Sequence, residues 1–351
     1  MRWLPRAKYF CGLVRCRLSG VGRPMWATIN VTGKCNFRCL YCDGEYYKQV
    51  EPEMPLARVK ELVDELVKRG TRYIAVAGGE PLLHRDIGKI VSHIVRQGVE
   101  CSLVTNGSLI PEKIDELEGV NSVLLSLDGD EKHNDLNRGK NAFQLALRGL
   151  ECARAHNLPV TLNAVLTKHT VGAVDYLVDL AEQHGAKVKF ALLGYSDEER
   201  EKTIFDDLKP SVQELRAAIT RIVDLKKAGA PIEYSVKTYA YVLRWMEGTE
   251  KLYLETPPPG IPHVKCHAGK LWFEIHSDGQ LFPCCTFTDS FKAKNVFTDG
   301  IDEAIDHATR TNPCVACCQP CFNEHNAICN LDPRVLLANA LSTLGIKNRH
   351  F

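Results

Sequence analysis

The chain has 351 residues, 45% hydrophobic and 25% charged, which excludes a disordered, collagen-like or coiled-coil protein and leaves room for about two domains. Forty-four basic and 43 acidic side chains leave a net charge of +1, so no global basic field is present to attract nucleic acid. No apolar run of roughly 18 residues offers a membrane span, and the 15 cysteines, without a secretion signal, read as metal ligands or catalytic thiols in a cytoplasmic protein.

Residues 1–25 form a basic amphipathic segment. Arg2, Arg6, Lys8, Arg15, Arg17 and Arg23 interleave with Trp3, Leu4, Tyr9, Phe10, Leu13 and Val14, and no acid precedes Asp43. Such a helix packs on the open edge of a sheet, or lies on an anionic membrane, which would give residues 1–24 a peripheral membrane contact. Strand-like runs follow at Ala27–Val31, Tyr73–Val76, Cys101–Thr105, Ser122–Leu127, Val160–Leu166 and Lys187–Leu193. Helix-period segments accompany them at Ala57–Arg69, Ile87–Gln97, Pro111–Glu118, Ala142–His156, Val171–His184 and Ser211–Ala228. Gly70, Gly98 and Gly185 stand where helix C-caps belong. Repeated βα units of this length build a mostly parallel α/β sheet, open or curled into a barrel, but fall short of a complete eight-unit barrel. Pro257–Gly260 breaks the pattern. Beyond it the chain is loop-rich and cysteines replace apolar residues, so the expected domains are 26–240 and 241–351.

The cysteines Cys35, Cys39 and Cys42, spaced C-x3-C-x2-C, follow directly on the first strand. In parallel βα architectures chemistry sits where loops leave the C-terminal ends of strands. Three thiolates are one short of a closed site, which leaves one metal position open. A zinc site completed by a distant His or Cys is the plainer alternative. The segment resembles the signature of radical S-adenosylmethionine (SAM) enzymes, including the aromatic Tyr41 before the third cysteine. Further motifs come in that family's order. Gly78-Gly79-Glu80-Pro81 ends the second strand, Thr105-Asn106-Gly107 the third, and Ser126-Leu127-Asp128-Gly129 the fourth; His133 to Arg138-Gly139 follows.

The resemblance implies a partial (β/α)6 barrel in which the three cysteines hold a [4Fe-4S] cluster whose open iron binds the amine and carboxylate of SAM. It implies that Glu80 accepts the SAM ammonium, that Asn106 lies near the cofactor, that Ser126 and Asp128 reach the ribose, and that Arg138 pairs with the carboxylate, as a guanidinium fork suits. Asn163 and Tyr195 are weaker candidates. The activity implied is reductive cleavage of SAM to a 5′-deoxyadenosyl radical that abstracts a substrate hydrogen.

The tail carries Cys266, Gly279 and Cys284, spaced C-x12-G-x4-C, around a hairpin with an Asp278-Gly279 turn. Cys314, Cys317, Cys318, Cys321 and Cys329 follow. This resembles the SPASM or shorter twitch domains that hold auxiliary clusters, although the spacing after Cys317 is compressed. The resemblance implies one auxiliary [4Fe-4S] cluster on Cys266, Cys284, Cys314 and Cys317, with Cys321 as a substitute ligand and Cys285, Cys318 and Cys329 open between packing and a second cluster. His267, His276 and His325 are expected at the surface or behind ligands, and Cys11, Cys16, Cys101 and Cys152 as packing thiols.

The function expected is therefore that of a radical SAM enzyme acting on a peptide or small molecule and fed by a reducing partner such as flavodoxin or ferredoxin. Only 34 residues precede Cys35, too few for a fused winged-helix leader-recognition domain. The alternatives are a lipid-linked substrate at a membrane surface and a non-catalytic iron–sulfur electron carrier; a carrier has no need of Glu80, Asn106, Ser126 or Arg138.

Overall fold

The computed structural model describes residue 12 and residues 24–42, 53–194, 205–249, 251–256, 260, 263–287 and 291–343. The amphipathic segment before residue 24, Cys11, Cys16 and Tyr195 therefore lie outside the described residues. Six strands carry the expected array: β1 (Trp26–Thr32), β2 (Tyr73–Gly78), β3 (Glu100–Thr105), β4 (Ser122–Ser126), β5 (Val160–Leu166) and β6 (Lys187–Leu192). They pair in parallel in chain order, each with the next.

Helices α1 (Leu56–Arg69), α2 (Ile87–Arg96), α3 (Glu131–Arg138), α4 (Ala142–Ala155) and α5 (Val174–Gln183) connect these strands. The buried positions of α1, Val59, Leu62, Val63 and Leu66, recur at the three- and four-residue spacing of one helix face. It ends at Gly70, whose φ of 119° lets its N–H reach the carbonyls of Leu66 and Val67. Along the strands the side chains alternate. Ala27, Ile29, Val31, Val188, Phe190 and Leu192 join the helix-covered core, whereas Trp26, Thr28, Asn30, Lys187 and Lys189 occupy the opposite face.

The tail adds to this sheet. After α6 (Val212–Ala228), α7 (Val236–Gly248) and β7 (Tyr253–Leu254), strand β8 (Trp272–Ile275) lies parallel to β1. Next come β9 (Gln280–Phe282) and β10 (Lys294–Asn295), both antiparallel to their neighbours, completing a nine-stranded sheet. Helix α8 (Ile301–Thr311), strand β11 (Ala316–Cys317), which pairs with β7, and helices α9 (Pro320–Cys329) and α10 (Pro333–Thr343) finish the described chain. Residue 240, near which the boundary is expected, lies in α7, which ends at Gly248.

One helix shows that the sheet is curled. Laid flat, β1 and β6 stand five strand spacings apart, about 24 Å, whereas the ten residues of α9 span about 15 Å. Yet the Gln319 side chain at the start of α9 exchanges two hydrogen bonds with the Leu192 backbone of β6, at 3.2 and 3.1 Å. Farther along the same helix the His325 ring lies 4.1 Å from that of Trp26 on β1, and Phe322 stacks at 4.8 Å on Trp272 of β8. The parallel strands therefore form an open barrel wall, with α9 against the gap. No helix among the described residues is long and apolar enough to cross a membrane, and nothing observed supports the peripheral membrane contact.

Candidate active site

The cysteine loop leaves the C-terminal end of β1 and is held from two sides. On the first side, β2 runs directly beneath it. Gly79 N–H donates to Thr32 O at 2.9 Å and Glu80 N–H to Lys34 O at 2.7 Å. A Cβ on Gly79 would stand 2.2 Å from Lys34 O and 3.1 Å from the Cys35 Cβ; one on Gly78, with φ of 131°, would stand 2.3 Å from Thr32 O. The two glycines thus make room for the cysteine loop itself rather than for a ligand. Pro81 opens a single 3-10 turn, whose Leu82 N–H donates to Glu80 Oε1 at 3.1 Å.

Glu80 is wholly buried. Its Oε1 also accepts from Thr105 Oγ1, and its Oε2 from Asn106 N–H, both at 2.7 Å. Burial raises the carboxyl to about 7 against the pull of these three donors. Oε2 has this single donor among the described residues, which leaves a lone pair for an ammonium. Asn106 does not point away from the protein: Nδ2 donates to Asn36 Oδ1 at 2.9 Å and Oδ1 accepts from Ser108 N–H at 2.9 Å. It fastens the third-strand turn to the residue after Cys35.

The second side is α3, a helix without the apolar periodicity that would have marked it in the sequence: its buried residues are Asn134, Asn137 and Arg138. Arg138 Nε and Nη2 donate to the two oxygens of Asp128 at 2.8 and 3.0 Å. Tyr41 Oη donates to the same carboxylate at 2.7 Å, and Val165 N–H does so at 2.9 Å. Four strong donors fill the lone-pair positions of Asp128, so the carboxylate orients Arg138 and Tyr41. The Arg138 guanidinium lies 5.5 Å over the Tyr41 ring and its Nη1 stands 4.0 Å from Cys39 Sγ. Asn137 O accepts from Leu40 N–H at 2.8 Å. Ser126, by contrast, has no hydrogen bond to its hydroxyl among the described residues and is half-buried, as is Asn163 opposite it on β5.

Cys35, Cys39 and Cys42 are each partly exposed. Burial pushes the Cys35 thiol up to about 11 and also raises Cys39, which Arg138 pulls back down. Iron would have to displace these protons on binding.

The tail brings Cys266, Cys284, Cys314 and Cys317 together. Cys266 N–H bonds to Val315 O at 3.2 Å, tying the first ligand segment to the last. The four sulfurs act on one another electrostatically. Cys266 is held well below its ordinary range by hydrogen bonds from the Cys314 thiol, the Ala268 N–H and the amides of Asn326 and Asn312. The Ala268 N–H and the two amides would still serve a thiolate at Cys266 after Cys314 itself gave up its proton on binding a metal. Met25, Leu271, Trp272 and Ile328 pack around it. Among the described residues no three His, Cys, Asp or Glu side chains converge as a single chelated ion requires. An iron–sulfur cluster makes no such demand, since its thiolates bind different irons.

Cys321 does not join the four. The helix start at Pro320 places it with Lys189 and Tyr234, so the substitute-ligand expectation lacks support from position. Cys101 is a fully buried packing residue of the core, and Cys152 is half-buried beside His156. Of the tail histidines, His325 is turned inward, where burial lowers it to about 3. Asn36, Asn137 and Lys189 escaped the sequence reading. Only Lys189 carried a signal, a charge in mid-strand.

The sequence pattern of the radical SAM superfamily matches residues 29–181, which include every residue of both flanking clamps. Mycofactocin maturase MftC of Mycobacterium tuberculosis (strain ATCC 25618 / H37Rv) is 30% identical over 294 residues, 80% of this chain and 70% of its own. The chain belongs to the radical SAM superfamily. It is a radical SAM enzyme, with a [4Fe-4S] cluster and SAM as cofactors. Fe-coproporphyrin III synthase of Methanosarcina barkeri (strain Fusaro / DSM 804) is 31% identical over 215 residues, covering 58% of this chain and 53% of its own. Among solved structures, Streptococcus suis SuiB bound to S-adenosylmethionine superposes with a TM-score of 0.63 at 17% identity, over 84% of this chain and 68% of that one, which shows a shared fold.

Proposed function

We propose that this radical SAM enzyme oxidises or cross-links a peptide substrate held against the inner face of the barrel wall, with electron uptake by an auxiliary [4Fe-4S] cluster. The observation that carries this reading is the clamp on the cysteine loop. Glu80 and Asn106 fix the Cys35 end, and Asp128, through Arg138 and Tyr41, fixes the Cys39 end. An electron carrier gains nothing from such a clamp. When bound at Cys35, Cys39 and Cys42, the cluster supplies one-electron cleavage of SAM to a radical that abstracts substrate hydrogen.

The chain's own groups orient and exclude. Glu80 keeps one lone pair for the SAM ammonium, and the Ser126 hydroxyl and Asn163 amide are open to cofactor or substrate. Arg138, fixed by Asp128, holds Nη1 4.0 Å from Cys39 Sγ, where its free N–H groups would be available to the SAM carboxylate. Cys266, Cys284, Cys314 and Cys317 would hold the auxiliary cluster with a protein ligand on every iron, which favours electron transfer over substrate ligation. Neutral electron flow then needs a low-potential donor of the flavodoxin or ferredoxin kind at the catalytic site. A small-molecule substrate is the second reading, favoured by the identity to Fe-coproporphyrin III synthase.

Anaerobic reconstitution followed by reduction with SAM tests the proposal. The expected result is 5′-deoxyadenosine formation that Cys35→Ala abolishes and Cys284→Ala spares, while Cys284→Ala loses product turnover. No 5′-deoxyadenosine from the unmodified chain would refute it.

A further inference from the structure

The inner face of the barrel wall carries a group of side chains that the cysteine sites do not use. Ser126 on β4 stands opposite Asn163 on β5, and Asn163 opposite Lys189 on β6. This row places Lys189 two strand spacings, about 10 Å, from Ser126. Among the described residues Lys189 makes no hydrogen bond and no ion pair. Its surroundings are the Cys321 thiol, the charge of Glu233 and the ring of Tyr234, 5.8 Å from its Nζ. Tyr234 is held there with a φ of 65°, a conformation that bulky side chains rarely adopt.

Helix α9 faces this row. Its half-buried positions Cys321, Phe322 and His325 lie toward the wall, whereas Asn323, Glu324, Asn326 and Ala327 are buried behind them. The wall opposite is aromatic: Trp26 stacks on Trp272 at 5.6 Å and meets Tyr73 edge-on at 5.7 Å. Two buried nitrogens here, Trp26 Nε1 and His325 Nδ1, have no hydrogen-bond partner. Native proteins seldom leave such groups unpaired, and the half-buried Lys189 feels the Cys321 thiol and the Glu233 charge without an ion pair or hydrogen bond to either. Lys189 and Trp26 only donate. An acceptor with negative charge placed between them would suit both, and the rings about it are flat.

We propose that Lys189, Trp26, Tyr234 and His325 form a substrate subsite for a carboxylate carried on or beside a planar ring, with Lys189 as its counter-ion. This rests on the radical SAM reading of the same inner face. Burial lowers the Lys189 pKa, and an anion seated there would restore it. The Ser126–Asn163–Lys189 row then orients the ring between Lys189 and the end of the sheet where SAM is cleaved.

Calorimetric titration of the reconstituted full-length chain with indole-3-acetate and with indole-3-acetamide tests the subsite without any turnover. The acid is expected to bind at least about tenfold more tightly than the amide, and Lys189→Met to remove that preference while Lys189→Arg keeps it. Equal binding of acid and amide by the unmodified chain overturns the inference, whatever the variants do; so does an acid preference that survives Lys189→Met. Titrating N-acetyl-Gly-Trp and its C-terminal amide assigns the source: tighter binding of this peptide acid than of indole-3-acetate places the carboxylate on a peptide, and the reverse places it on a small molecule. Formation of 5′-deoxyadenosine is scored on the same preparation. Cleavage without acid preference overturns the subsite alone, and acid preference without cleavage overturns the proposed function alone.

Discussion

Asp128→Asn is the perturbation that most directly tests how the cysteine loop is held. Asp128 is fully buried and Arg138 is 6% exposed, so their attraction is little screened by water. The substitution keeps the shape but leaves a guanidinium buried without its counter-charge, a loss of about 3–5 kcal/mol. It also sets an amide N–H against donors that now meet a carboxylate. With an unfolding entropy of about 2.1 cal/mol/K per residue over the 351-residue chain, that loss lowers the melting temperature by about 4–7 °C. Circular dichroism of the iron-free chain measures it. The same variant should load less iron at the catalytic site, because Tyr41 and Arg138 lose the carboxylate that fixes them. A double-mutant cycle with Arg138→Met sharpens the test. Replacing both members removes the uncompensated charge, so the pair should cost less than the sum of the single variants by more than about 0.5 kcal/mol. Additive losses within that margin, or an unchanged melting temperature in Asp128→Asn, would refute the clamp.

Three further outcomes are expected. Gly79→Ala drives a Cβ into the Lys34 carbonyl at 2.2 Å, a backbone obstacle that cannot swing aside, so catalytic iron loading should fall while auxiliary loading stays; site-resolved EPR checks it. Glu80 sits at about 7 in the folded chain against an ordinary 4.5, so its ionisation costs the fold. Relative to Glu80→Gln, the iron-free chain should lose stability as pH rises from 4.5 towards 7, by about 3 kcal/mol in total, and melting curves that stay parallel across that window would contradict this. Asn326→Leu removes a donor to Cys266. Asn326 Oδ1 is committed to His267 N–H at 2.9 Å and Trp272 Nε1 at 3.1 Å, which turns its Nδ2 to the sulfur. Auxiliary iron loading should then need a higher pH, and identical pH profiles for variant and parent would remove this role.

The sequence and the structure agree most closely where apolar periodicity was strong. The six strands lie within a residue or two of their expected bounds, because Val, Ile and Leu at alternate positions leave one register that buries them. Two elements of the barrel region differ from expectation, for opposite reasons. The expected helix Pro111–Glu118 is a short turn, Ile110–Lys113, running into a 3-10 turn at Ile114–Leu117, since only Ile110 and Leu117 are buried there. Helix α3 is the reverse case, a helix that buries Asn and Arg instead of apolar residues. Its face is polar because it packs on a carboxylate and a cysteine loop rather than on hydrocarbon, so its lack of periodicity marks the site.

That contrast explains why motif residues were legible as a set and not in their separate roles. Glu80, Asn106, Asp128 and Arg138 all reach the cysteine loop, so their order along the chain reports the fold correctly. Which of them meets a ligand depends on how many donors each already has, and spacing carries no such count. Asp128 is saturated by four donors and Asn106 is tied to Asn36 and Ser108, whereas Glu80, Ser126, Asn163 and the outer N–H groups of Arg138 retain capacity among the described residues. The same accounting separates the tail cysteines. Cys266 is surrounded by donors that suit a thiolate ligand, whereas Cys321 shares its surroundings with the Lys189 ammonium, which has no ion pair among the described residues. In the proposed subsite the Cys321 thiol borders the substrate, so that subsite locates substrate discrimination on the β6 side of the inner face.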